Sequence, residues 1–184
     1  MQLNPVKKAI LEALWRKGKP ATPLEIAKEL GMKNQRQAMM HLLNLRSMEY
    51  VSSPEKNCYA ITELGKEAMG LPRITKKEAS QILHPKPPES SFHFYKEMGR
   101  SLGIQANSLQ DFCDKIQKID LRSLEFHIPR KDFENWLHHL GDAELAKRIA
   151  TIREQGVAGE ELRQKVYEAT KSRCEELKKL TLQQ

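Results

Sequence analysis

Between Lys33 and Asn44 the chain sets Lys33, Asn34, Gln35, Arg36, Gln37, His41 and Asn44 close together, with no carboxylate among them. This is the chemistry needed at a nucleic-acid groove. An Arg fork matches guanine edges, Asn and Gln amides match adenine, and the absence of acids avoids repulsion from phosphate. A solvated helix carries the same residue types for solubility alone, so the neighbouring elements must decide between the two. Ala38, Leu42 and Leu45 recur at helical spacing, which predicts a helix over about Asn34 to Met48 with those three inward and the polar set largely on the other faces.

The elements that must hold this helix are also legible. Thr22, Pro23 and Glu25 form a capping-box start. The following Leu24, Ile26, Ala27 and Leu30 make an apolar stripe, and Gly31 ends the helix. Upstream, Pro5 to Arg16 reads as a helix with Val6, Ile10, Leu11 and Leu14 at core spacing and Trp15 beside them, ended by Lys17 and Gly18. Downstream, Tyr50-Val51 and Cys58 to Ile61 read as two short strands around a polar tip, SSPEKN. Thr62 then caps a short helix that stops at Gly70.

Helix, helix, turn, helix, hairpin, helix is the order of a winged helix-turn-helix. Residues 4–70 resemble that superfamily, most closely in the segment Tyr59-Ala60-Ile61-Thr62-Glu63-Leu64-Gly65. The resemblance implies that the helix from Asn34 lies in a major groove and that Lys56, on the wing, touches phosphate or the minor groove. The wing departs from the pattern of strong binders, with one Lys and one Glu at its tip. Winged helices also contact RNA or the ribosome, or other proteins, and the fold does not choose among these.

Residues 71–91 read as a linker, with Thr75 and Glu78 capping a short helix through Leu83 and His84-Pro85-Lys86-Pro87-Pro88 extended beyond it. A second, helical body is expected over 92–184. It opens on FHFYKEM, which has the alternation of a short strand, although a helical start also fits so short a run. A helix capped by Ser108 and Asp111 follows, carrying Leu109, Phe112, Cys113, Ile116 and Ile119 inward. The next, Asp120 to His127, carries Leu121, Leu124 and Phe126. Pro129 is read as opening the segment closed by Gly141, Asp142 as capping the next helix, and Gly159 to Leu180 as a long final helix.

His127, Asp132-Phe133, Trp136, Gly141-Asp142 and Leu145-Ala146 give the pattern H-x4-DF-x2-W-x4-GD-x2-LA, which resembles a small helical domain family of unknown function over residues 92–180. The resemblance implies an architecture and no activity. Caps, a helix stop and a shared buried face account for these residue types, so a packing signature is expected.

The fold class expected is therefore mainly α: an N-terminal winged helix-turn-helix with a short hairpin wing, then a C-terminal helical domain. The chain carries 31 Lys and Arg against 24 acids, a net charge of +7, which favours an anionic partner. The excess is concentrated toward the N-terminus, with eleven bases against seven acids over 1–70 and sixteen against fifteen over 92–184.

Cys58, Cys113 and Cys174 are widely spaced and in no CxxC pair, so reduced thiols are expected. No HExxH, Gly-rich phosphate loop or nucleophile elbow is present, and His138 and His139 point about 100° apart on a helix. Neither catalysis, metal nor cofactor is expected. His127 is read as a hydrogen-bonded, partly buried histidine. Without an apolar run of membrane-spanning length or a secretory segment in MQLNPVKK, a cytoplasmic protein with no membrane partner is expected. A homodimer is the expected state, with Leu162, Val166, Ala169, Leu177 and Leu180 of the last helix as a seam interrupted by Arg173, or else as a face packed on its own domain.

Overall fold

Helix starts are set locally, and the computed structural model, which describes residues 3–182, shows the caps forming. The Asn4 side chain accepts from the Lys7 N–H and opens α1, Pro5–Lys17. Thr22 and Glu25 exchange hydrogen bonds with each other's backbone N–H groups, opening α2, Pro23–Glu29. Gly18, with φ of 63°, ends α1 in the left-handed region and returns its N–H to the last turn. Helix α3, Gln35–Ser47, follows. The antiparallel strands β1, Val51–Glu55, and β2, Cys58–Ile61, come next, and then α4, Glu63–Ala68. Ala21 and Tyr59 exchange backbone hydrogen bonds of 2.9 Å in both directions, so the segment between α1 and α2 joins the edge of β2.

The chain divides into two compact units, Met1–Arg73 and Ile74–Gln184. The first is built on Ile10, Leu11, Leu14, Ile26, Ala38, Leu42, Leu45, Val51 and Tyr59, all buried. Fully burying a Leu or Ile is worth about 1.5–3 kcal/mol, so these side chains fix where α3 sits. The hairpin is longer than the sequence suggested: Ser52 to Glu55 belong to β1, with a bulge between them, and only Lys56 and Asn57 turn. Leu24 departs from its expected inward stripe and is 46% exposed. Pro23, Ile26 and Ala27 are the buried residues of that helix.

The spacer expected over 71–91 is corrected by the packing. Helix α5, Lys76–Leu83, opens on the Thr75–Glu78 capping box and buries Ala79 and Ile82 in the core of the second unit. The proline-rich segment after it is anchored there too, since the Lys86 N–H donates to the Asn107 carbonyl at 2.6 Å. The strand reading of FHFYKEM holds, as β3, Phe92–Glu97. It pairs antiparallel with β4, Arg100–Ala106, a strand with no sequence expectation behind it.

Helices α6, Leu109–Ile116, α7, Leu121–His127, α8, Asp132–Leu140, α9, Ala143–Glu154, and α10, Gly159–Leu182, complete the unit. Pro129 does not open α8: it lies in the preceding turn, which closes through Lys131 at φ of 62°.

Of the two readings of the α10 stripe, a seam or a face packed on its own domain, the packed face is the one observed. Leu162, Val166 and Leu177 are buried within their own unit, with Ala169 and Leu180 packed beside them, so this face is covered by α5, α6 and α9 rather than presented to a second protomer. Arg173 interrupts the stripe because it is itself buried, 3% exposed, in an ion network. Its Nε donates to both Asp142 oxygens at 3.1 and 3.0 Å, and its Nη1 donates to Glu144 at 2.9 Å and to Glu176 at 3.0 Å. Arg148 joins the same two glutamates, at 2.7 Å to Glu144 and 2.9 Å to Glu176. Burial works against the Arg173 charge, but Asp142 and Glu144 overcome it and hold the guanidinium protonated. The molecule is thus mainly α with two short hairpins. Among the described residues no helix is long and apolar enough to cross a membrane.

Candidate nucleic-acid interface

The first candidate element is α3, and its orientation follows from its caps and core. Asn34 is extended, with φ of −161°, and its Oδ1 accepts from the Gln37 N–H at 3.0 Å. Ala38, Leu42 and Leu45 are fully buried and pin one side of the helix. At about 100° per residue the opposite strip runs through Arg36, Met40, Leu43 and Ser47, flanked by Gln37 and Asn44. Gln35, Arg36, Gln37 and Asn44 are exposed, Lys33 is exposed in the turn ahead of the helix, and His41 is half-buried at its flank.

Asn34 is therefore first a cap. Its oxygen is already engaged, and only its amide N–H2 remains for a ligand. Two residues on this face were missed. Met40 is 63% exposed and Leu43 46%, both along the outward strip. The same helical period that placed Ala38 and Leu42 inward gives the signal for them, but their apolar type argued for the core.

The acids of the neighbouring helix are occupied. Glu29 pairs with Arg16 and with Lys17, each at 3.3 Å, and Glu25 is held by the N–H and hydroxyl of Thr22, which lower its pKa. At the hairpin tip Lys56 is exposed beside Asn57, whose φ of 60° closes the turn.

The base of the hairpin is locked onto α4. Thr62 donates its N–H to the Tyr50 carbonyl at 3.1 Å and its hydroxyl to the Glu49 carbonyl at 2.7 Å, while its Oγ1 accepts from the Gly65 N–H at 3.1 Å. A Cβ on Gly65 would stand 2.2 Å from the Tyr50 carbonyl oxygen. The Ile61-Thr62-x-x-Gly65 spacing is thus a backbone close approach that aims the hairpin.

In the second unit the singled-out residues come together in one cluster. The Phe92 ring lies 4.9 Å from both Phe94 and His127, 5.0 Å from Phe133 and 5.6 Å from Trp136, ring centre to ring centre. Trp136 donates its indole N–H to the Ser90 carbonyl at 2.9 Å. His127 is buried, as expected in part, and both of its nitrogens are engaged. The Tyr95 backbone N–H donates to Nε2 at 2.9 Å, so Nδ1 carries the proton and donates to Asp132 at 2.7 Å. Burial lowers the His127 pKa against the pull of Asp132, which agrees with this neutral form. Gly141, at φ of 90°, stops α8, and Asp142 caps α9 through the Leu145 N–H while holding Arg173.

Burial raises the Cys113 thiol to about 11 and the Cys174 thiol to about 12, so neither is a thiolate near neutral pH. Among the described residues no group of three or more His, Cys, Asp and Glu is placed to hold a metal ion.

These features define a mainly α chain of two units, the second organised around an aromatic cluster and a buried ion network. The chain belongs to DUF5752, a family of unknown function, whose profile matches residues 73–171. That match begins ahead of α5, at the boundary between the units rather than at Phe92. No curated protein and no solved structure matches the chain.

Proposed function

We propose that the N-terminal unit is a winged helix-turn-helix that binds duplex DNA, and that the protein acts as a transcription regulator. Helix α3 enters the major groove, Arg36, Gln37 and Asn44 meet base edges, Lys33 and His41 flank them, and Lys56 on the hairpin rests on phosphate. The observation that carries this reading is the outward strip of α3, which is exposed, cationic and amide-bearing, has no acid of its own and adjoins a helix whose acids are already paired. Met40 and Leu43 fit the same reading, since exposed apolar groups in a major groove gain contact with thymine methyls. No catalytic step and no cofactor form part of it.

Those two side chains also favour a second reading, in which α3 docks on a protein, and RNA or the ribosome is the further alternative for a basic surface. Selection of binding duplexes from a random DNA pool with the intact chain separates these readings. Enrichment of a defined sequence, weakened when its thymines are replaced by deoxyuridines and insensitive to added ribosomal subunits, is the result expected. Failure to enrich any duplex, with retention on ribosomal subunits or another protein instead, would overturn the DNA reading.

A further inference from the structure

The β3–β4 hairpin tip and the α7–α8 turn leave between them a cleft of ≈ 340 Å³. An apolar cavity of roughly 150 Å³ suffices for benzene, so this space takes one substituted ring. Its walls are aromatic, formed by Phe92, Tyr95 and Phe126, with Met98 at the mouth. Met98, in the β3–β4 turn, is 76% exposed. Phe126, expected to point inward, is instead only half-buried and forms part of this wall.

One cation is fixed at the rim. The Arg130 guanidinium lies over the Phe126 ring, 4.9 Å from its centre, and its Nε donates to Asp132 at 3.0 Å. Asp132 is held in turn by the buried His127. Using Nε for the carboxylate behind it leaves the outer edge of the guanidinium, Nη1 and Nη2, directed away from Asp132. Among the described residues, the hydrogen-bond contact on that edge is Nη1 with the Met98 sulfur at 3.7 Å, a weak one that a better acceptor displaces. Two parallel N–H donors on a pre-positioned plane match a carboxylate, and an aromatic slot beside them matches a ring.

We propose that this cleft binds a small aromatic carboxylate, its ring between Tyr95 and Phe126 and its carboxylate on the outer edge of Arg130. This site lies wholly within the second unit and is independent of the DNA reading.

The test uses the full chain with isotope-labelled methionine methyls, the Met98 signal assigned by its loss in Met98→Leu, and titration with benzoate, benzamide and cyclohexanecarboxylate. Benzoate should move the Met98 signal saturably. Benzamide, which keeps the ring and loses the charge, should bind about tenfold more weakly or less, and cyclohexanecarboxylate should also be weaker. Arg130→Gln should weaken benzoate about tenfold, Arg130→Lys should recover part of it, and Arg122→Gln, on the exposed face of α7, should bind as the unaltered chain does.

Absence of a saturable Met98 shift with benzoate in the millimolar range would overturn the proposal. So would equal binding of benzamide and benzoate, or unchanged benzoate binding in Arg130→Gln. Should that variant unfold, the benzoate-to-benzamide ratio in the unaltered chain decides alone.

Discussion

The two units treat their charged side chains in opposite ways. In the second, Arg173, Arg148, Asp142, Glu144 and Glu176 are drawn into one network in which Arg173 donates to three carboxylates. In the first, Arg36 and its polar neighbours stand out from α3 in solvent, and the capping oxygen of Asn34 is the engaged group among them. Removing a paired, buried charge strands its partners, whereas removing an exposed one costs little stability. The comparison therefore separates residues that hold the fold from residues available to a ligand, and it does so with measurable consequences.

The largest consequence lies at Arg173. Arg173→Ala should cost about 3–5 kcal/mol of stability in the second unit, because Asp142 and Glu144 would remain buried with their strongest partner gone. Denaturant unfolding measures this, and a loss below 1 kcal/mol, roughly the worth of an exposed pair, would show that the network is more hydrated than its burial implies. Next comes Gly65→Ala in the first unit, which forces a Cβ against the Tyr50 carbonyl. A loss of about 1–3 kcal/mol is expected, the usual cost of overpacking, visible in the first unit's unfolding and not the second's.

The smallest effect is the pH dependence from His127. Its folded pKa lies below the ordinary value of 6.5, so the unfolded chain binds the extra proton first. The His127 contribution is complete above about pH 6.5 and is lost progressively as pH falls below it toward the folded pKa. His127→Gln should flatten that part of the stability profile. A profile unchanged by the substitution would mean that the imidazole titrates normally.

How much of this was legible in the sequence follows the range of the interaction. The caps at Thr22, Thr75, Ser108 and Asp142 were all readable, because a side chain and the N–H three residues on settle each one. The inward face of α3 was readable from the period of Ala38, Leu42 and Leu45. Strand β4 was not, since RSLGIQA lacks alternation and its pairing with β3 supplies the order. Nor was the place of α5, whose buried Ala79 and Ile82 pack with residues far along the chain. Arg173 looked like a flaw in a stripe because two of its three carboxylate partners, Asp142 and Glu144, lie at the start of α9, 31 and 29 residues away. At the candidate site the residue types were legible and their division of labour was not. Asn34 became a cap, and Met40 and Leu43 came outward.

The contrast between the units is tested most directly at Arg36, against Lys56, on whichever duplex the intact chain selects. Arg36→Ala should weaken binding to that duplex by about 1–3 kcal/mol and relax its sequence choice, with the stability of the first unit unchanged within about 0.5 kcal/mol. Lys56→Ala should weaken all duplexes alike and make the salt dependence shallower by about one phosphate contact. Equal losses on every duplex for Arg36→Ala would contradict base readout by α3. No loss on any duplex would contradict the assignment of this face to DNA.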